Sequence, residues 1–162
     1  MNKIPVMLNS NAMYEATIGD HVYEFAKWPA GEAVDTLLEF TSLVGKPLSS
    51  LLAKGVSEGG DSLQTNLDAH ALAGLFEQLF DALNPQSRPR IMAIIKQLAT
   101  RNVICDGKPG PLVFDVHYKD AYAHLFDVAR TAFEVQYGSF FVAIGGKLGL
   151  RSASTPQINK AA

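Results

Sequence analysis

The sequence predicts a predominantly helical α+β domain, and three observations carry that prediction. Polar and apolar residues alternate on both sides of Gly19-Asp20 near the N-terminus. Apolar residues then recur at spacings of three and four through the middle of the chain. A long stretch toward the C-terminus, Asp115 to Gly149, carries one wide apolar stripe at helical spacing. The order is an N-terminal β-hairpin, a helical bundle, a second short hairpin and a long C-terminal helix. Strand signals grouped this way imply a small antiparallel sheet packed beside helices. No internal repeat occurs at a fixed period. Residues 13–149 read as one domain, with a loose arm at 1–12 and a flexible polar tail at 150–162.

The first hairpin is YEATIGDHVYEF. Tyr14, Ala16 and Ile18 share one face of the first strand. On the second, Phe25 joins either Val22 or Tyr23. Gly19 suits a first turn position that needs a positive φ. Trp28-Pro29 ends the second strand, because proline lacks the donor that a ladder requires. AGEAVDTLLEFTSLVG follows as a helix, with Val34, Leu37, Leu38, Thr41 and Val44 as its apolar face and Gly45 as its stop. Pro47 opens a short second helix, PLSSLLAKG, at a position where a missing amide is harmless. SEGGDS, residues 57–62, is a loop.

The most regular helical pattern spans Leu67 to Leu83, with Leu72, Leu75, Phe76, Leu79, Phe80 and Leu83 on one face. Asn84-Pro85 breaks it. The linker NPQSRPR leads to a helix at Ile91–Ala99 that presents Ile91, Ile94, Ile95 and Leu98. Asp106-Gly107 and Pro109-Gly110-Pro111 are turn signals between Val103-Ile104 and Leu112-Val113-Phe114, which predicts the second hairpin. In the last helix the stripe is Tyr118, Tyr122, Leu125, Phe126, Ala129, Ala132 and Phe133, continued by Ala143 and Ile144. Asp115 or Lys119-Asp120 can open it, and Gly145-Gly146 and Gly149 close it. Phe140-Phe141, with Val142 and Ile144, leaves this helix end apolar on several sides. Such a surface is either deeply buried or covered by a partner.

Apolar residues make up 48% of the chain and charged residues 19%, so an exposed apolar patch is expected. The formal charge of −2 disfavours generic nucleic-acid binding. The distribution is uneven: residues 1–83 hold four basic and eleven acidic groups, residues 84–162 ten and five. Opposed halves can attract within one chain or between copies of it. Arg88, Arg90, Lys96 and Arg101 form a basic patch that could meet an acidic partner surface. RNA is a weaker reading, since no aromatic residues interleave there. The lone Cys105 excludes an intrachain disulfide. The opening MNKIPVMLNSNAM is too short in apolar run for a signal peptide, and no stretch is long enough for a membrane span.

Nothing in the sequence points to catalysis, a cofactor or a metal. His21, His70, His117 and His124 are scattered, with no HExxH motif and no cysteine pair. An enzyme would need a polar pocket around Asp115, His117 and His124. Asp106-Gly107-Lys108-Pro109-Gly110 is not a phosphate-binding loop, because Pro109 removes an amide and no Gly-Lys-Ser/Thr follows. Cys105 lies in an apolar strand, the setting of a structural thiol. Glu32, Asp35 and Glu39 follow helical spacing, as on a solvated face.

Two stretches carry a family resemblance. One is VYEFAKWPAGEAVDTLLEFTSLVGKPLSSLL, a strand ending before a proline, then a helix, a glycine break and a Leu-rich helix. The other is PLVFDVHYKDAYAHLFDVARTAFEVQYGSFF, with its Phe-Asp-x-His-Tyr start and Tyr-Gly-x-Phe-Phe ending. Together they resemble tail assembly chaperones of long-tailed bacteriophages. The resemblance implies a non-enzymatic protein of the host cytoplasm that binds the helical tape-measure protein, shields its apolar stretches and helps recruit tail tube subunits. It also implies that Phe133, Tyr137, Phe140, Phe141 and Ile144 line a partner-binding surface. On that reading, Phe140→Asp combined with Phe141→Asp leaves the fold intact and abolishes client capture. The alternative is a structural subunit of the tail or baseplate.

Overall fold

A computed structural model of the chain describes residues 4–44, 74, 76, 78–108 and 110–147, with 142–147 described by backbone alone. Its strands form one antiparallel sheet in the order β1-β2-β3-β4. They are β1 (Met7–Leu8), β2 (Tyr14–Ile18), β3 (His21–Phe25) and β4 (Val103–Cys105). The helices are α1 (Ala30–Val44), α2 (Arg88–Thr100), α3 (Phe114–Asp120) and α4 (Leu125–Lys147), with a 3-10 turn at Tyr122–His124 before α4. The class is α+β, as the patterning predicts.

The β2–β3 hairpin forms in the register the alternation requires, from Ile18 opposite His21 to Tyr14 opposite Phe25. Gly19 at the turn has φ +59. Tyr23 joins Phe25 on the inward face, and Val22 does not. β4 extends that face, with Cys105 opposite Tyr23 and Val103 opposite Phe25. Ala16, Ile18, Tyr23, Phe25, Val103 and Cys105 are all buried. Residues 7–8, expected within a loose arm, pair with β2 instead. Asn9 holds that connection: its Oδ1 accepts from the Asn11 and Met13 amides, and its Nδ2 donates to Glu24.

The second hairpin is half-formed. β4 exists, but it pairs with β3, and Leu112-Val113 form no strand. Asp106 and Gly107 both take positive φ, 53 and 64, and the Lys108 amide donates to the Cys105 carbonyl. That is a primed turn of the hairpin kind. Pro109 and Pro111 then withhold the donors that a returning strand would need. Phe114 opens α3 rather than closing a strand.

α4 is the centre of the molecule. Val128 to Phe133 are buried without interruption, as are Val135, Gln136, Tyr137 and Phe141. A helix covered on most sides must be largely apolar, and its buried polar side chains are partnered: Thr131 donates to the Asp127 carbonyl and Arg130 pairs with Asp127. The sheet, α1, α2 and the helical residues around Phe76 and Leu79 supply that cover. Phe133 stands at the junction, 4.7 Å from the Phe40 ring, 4.8 Å from Tyr137 and 6.3 Å from Phe76 between centroids. Ile91, Ile94, Ile95 and Leu98 of α2 are buried as their spacing predicts.

Two helices differ from expectation. The inner face of α1 is Thr36, Leu37 and Phe40, with Ala33, Leu43 and Val44 half-buried beside them. Val34 and Leu38, expected inside, are exposed at 53% and 62%. Phe40 has the largest apolar side chain in the helix, and its packing on Phe133 fixes the rotation. The Tyr137 hydroxyl donates to the Ala33 carbonyl and holds the same orientation. The predicted continuous helix from Asp115 is broken at Ala121, which has φ −110 and ψ 31. The short helix from Pro47, the loop 57–62, the helix residues before Gly74 and the tail after Lys147 lie outside the described residues.

Candidate functional site

Three of the five expected partner-binding residues face the core. Phe133, Tyr137 and Phe141 are buried, the last at 5% exposure, because α4 is enclosed by the rest of the chain. Phe140 points outward and is 39% exposed. Ile144 lies in α4, with its side chain outside the described residues. The apolar groups that do reach the surface include Val34 and Leu38, one turn apart on the outer face of α1. The sequence pattern flagged both residues but assigned them to the interior. Tyr122 and Val116, on either side of the Ala121 break, are also exposed.

The basic patch is partly neutralised within the chain. Arg101 grips Glu32 with two hydrogen bonds, Nε to Oε1 at 2.9 Å and Nη2 to Oε2 at 3.0 Å. Arg90 pairs with Glu39 at 2.5 Å and donates to Ser42 Oγ. These pairs hold the Glu32 and Glu39 carboxyls below the usual carboxylate range, chiefly by hydrogen bonding to the arginines. The acidic face of α1 and the basic face of α2 thus meet each other, which is the intrachain form of the charge asymmetry.

A polar cluster that the sequence did not reveal lies at the open end of the inward sheet face. His21 and Tyr23 are two apart on β3, and Cys105 is the cross-strand neighbour of Tyr23, so all three project to one side. Asp106 would point to the other side in a regular strand. Its positive φ turns it back, and its carboxylate accepts from the Val22 amide at 3.0 Å and contacts His21 Nδ1 at 2.7 Å. His117 Nε2 lies 2.9 Å from the Tyr23 hydroxyl, and His124 Nδ1 lies 3.5 Å from the same oxygen.

The break at Ala121 makes this convergence possible. In an unbroken helix, His117 and His124 would sit about 10 Å apart along the axis, too far to reach one phenol. The His124 ring also lies against the β2–β3 turn: a Cβ on Gly19 would stand 2.1 Å from its Nε2. Gly19 is therefore required twice, by its backbone and by its neighbour. Asp115, which the enzyme reading placed with the two histidines, is exposed on α3. Asp106 takes the place beside them.

The cluster has shifted acidities with nameable causes. Burial pushes the Cys105 thiol up to about 11, reinforced by the Asp106 carboxylate. Asp106 is drawn down to about 2, first by the Val22 amide and then by His21. Burial raises Tyr23 well above the usual phenol range. His117 is lowered, mainly by burial and then by the charge of His21. With His117 neutral, its Nε2 can accept the Tyr23 proton.

A second polar device joins α4 to the chain leaving β3. Gln136 Oε1 accepts from the Trp28 amide at 2.9 Å, and its Nε2 donates to the Ala26 carbonyl at 3.0 Å. Lys27 donates to the Val135 carbonyl and, at 3.2 Å, to that of Gln136. One side chain thus satisfies the backbone where the sheet ladder stops.

Among the described residues no helix is long and apolar enough to cross a membrane. A family model described as phage tail assembly chaperone protein, TAC, matches residues 19–149. Comparison with curated proteins and with solved structures gave no match.

Proposed function

The chain belongs to the phage tail assembly chaperone family, and from that premise we propose that it binds the tape-measure protein in the host cytoplasm during tail assembly. The family supports a chaperone role in tail assembly and suggests a non-enzymatic one. The match over residues 19–149 is the observation that carries the reading, since it takes in β3, β4 and the helices α1 to α4.

The client is an apolar helical segment, and the surface that meets it is built from groups already exposed. Val34 and Leu38 on α1 and Phe140 on α4 are the anchors. Phe133, Tyr137 and Phe141 act one layer below, by holding α4 in place. A few desolvated anchors dominate such an interface, and truncating one that acts as a hot spot costs about 2 kcal/mol or more. Recruitment of tail tube protein follows capture of the client.

Co-expression of the full chain with the tape-measure protein tests this. The wild type is expected to co-purify with the client and keep it soluble. Leu38→Asp and Phe140→Asp, each folded by circular dichroism, are expected to lose it. Capture unaffected by both substitutions would overturn the assignment of the surface. Recovery of the chain in purified particles would favour the alternative, a structural tail or baseplate subunit.

A further inference from the structure

We propose that His21, Cys105 and Asp106 form a binding site for a divalent zinc-like cation. One ligand atom from each lies within 4.8 Å of the other two. A tetrahedral zinc holds nitrogen and oxygen at about 2.0–2.1 Å and sulfur at about 2.3 Å, so its ligand atoms sit roughly 3.3–3.6 Å apart. The farthest ligand atoms must approach by up to roughly 1.5 Å and the 2.7 Å His21–Asp106 contact must open by roughly 0.6 Å, movements within reach of side-chain torsions. His21 and Asp106 are both partly exposed, which gives the ion a path in and the ligands freedom to close.

The donor set selects the ion. One thiolate, one imidazole and one carboxylate suit zinc, whereas magnesium and calcium require oxygen ligands throughout. Three protein ligands leave a fourth position for water. On binding, the Cys105 S–H bond breaks, its proton passes to solvent, and the sulfur lone pair forms the bond to the metal. His21 coordinates as a neutral ring and Asp106 as a carboxylate, so no oxidant or reductant is needed.

The surroundings resemble the outer support that metal sites use. The Val22 amide fixes Asp106 Oδ1. Tyr23 is the cross-strand neighbour of Cys105, and its hydroxyl is itself held by His117. Those supports come from β3 and α3, and Cys105 ends β4, so a bound ion would tie the edge of the sheet to the helical layer. A pairwise search for metal motifs along the chain misses the site, because its ligands stand 84 and 85 residues apart across β3 and the β4 turn.

The test uses the full chain, reduced and freed of metal with a chelator, titrated with cobalt(II) alone and then with zinc(II) alone. Cobalt is expected to saturate at one equivalent with a near-ultraviolet thiolate charge-transfer band, and zinc to displace it. Cys105→Ser should abolish the band, and His21→Gln should weaken affinity by about tenfold or more. His21 is partly exposed, so His21→Gln keeps the test open even if Cys105→Ser fails to fold. Zinc should also raise the thermal midpoint of the wild type and not that of His21→Gln. Absence of the band in the wild type would overturn the proposal. So would a band whose affinity is unchanged in both His21→Gln and Asp106→Asn, since that is a lone-thiolate adduct. Client capture plays no part in this readout, so the site and the chaperone reading stand or fall separately.

Discussion

Substituting Gly19 by alanine should destabilise the chain through two separable effects. The first is local: Gly19 has φ +59, and an L-residue held in that region costs about 1–2 kcal/mol. The second is tertiary: the new methyl would stand 2.1 Å from His124 Nε2, well inside contact distance. The ring can escape only by swinging away from Tyr23, giving up a contact worth about 0.5–1.5 kcal/mol. The total is then about 1.5–3.5 kcal/mol. A double-mutant cycle with His124→Ala divides the two. In that background the methyl meets no ring, and Gly19→Ala should cost only the backbone part. Urea unfolding of the four proteins, monitored by circular dichroism, gives the coupling. A coupling of about 0.5–1.5 kcal/mol is expected, equivalent to roughly 2–5 °C in the thermal midpoint for a chain of this size. Additivity within about 0.3 kcal/mol would refute the reasoning, because it would mean that His124 does not rest on the turn.

Phe140→Asp should leave stability within about 1 kcal/mol of wild type, whereas Phe141→Asp buries an unpaired carboxylate and should cost about 4 kcal/mol or more; equal urea midpoints for the two would remove the distinction drawn between them. Gln136→Leu leaves the Trp28 amide and the Ala26 carbonyl without their side-chain partner and should cost about 2–4 kcal/mol, a loss under about 1 kcal/mol arguing against the clamp. Metal-free protein should lose stability as the pH falls below the ordinary histidine value of 6.5. The His117 pKa is lower in the fold, so the unfolded chain takes that proton first, and the contribution of neutral His117 is complete above 6.5 and declines toward the folded value. His117→Gln should flatten this part of the profile, and an unchanged slope in chelator-treated protein would exclude His117 as its source.

Local patterns were legible and their orientation was less so. The β2–β3 hairpin follows from alternation and a glycine at the turn, both properties of adjacent residues. The inner face of α2 follows from four aliphatic residues at helical spacing with no competing face. α1 offered two apolar faces, and spacing alone cannot choose between them. The choice rests on Phe40 meeting Phe133, a contact across 93 residues of sequence. The second hairpin looked complete because its turn residues are correct, yet β4 finds its partner in β3 and the prolines deny it another. The break at Ala121 left no mark in the pattern, since Tyr118, Tyr122 and Leu125 keep helical spacing on both sides of it. The polar cluster was illegible for a different reason. Its members come from β3, β4 and the two sides of that break, and only the register of Tyr23 opposite Cys105 brings them together. The clue that could have pointed to it was the pair Asp106-Gly107, which marks a left-handed turn and therefore a side chain redirected onto the inner face.

The burial of the C-terminal aromatic residues decides what kind of binding this molecule can support. Exposing Phe133, Tyr137 and Phe141 to a client would undo the burial of three large rings, on the order of 5–9 kcal/mol. A domain of ordinary stability holds about 5–15 kcal/mol in all. A client that used those rings would have to unfold much of the protein first, and its affinity would be reduced by the fraction of chains so opened. Val34, Leu38 and Phe140 require no such opening. Binding through them leaves α4 intact as a rigid support, so the rings beneath contribute by keeping the surface in one shape. Substitutions in the two layers should then differ in kind: a surface change weakens capture at constant stability, and a core change weakens both together. A core variant that loses the client while its urea midpoint stays at the wild-type value would show that the rings themselves reach the partner.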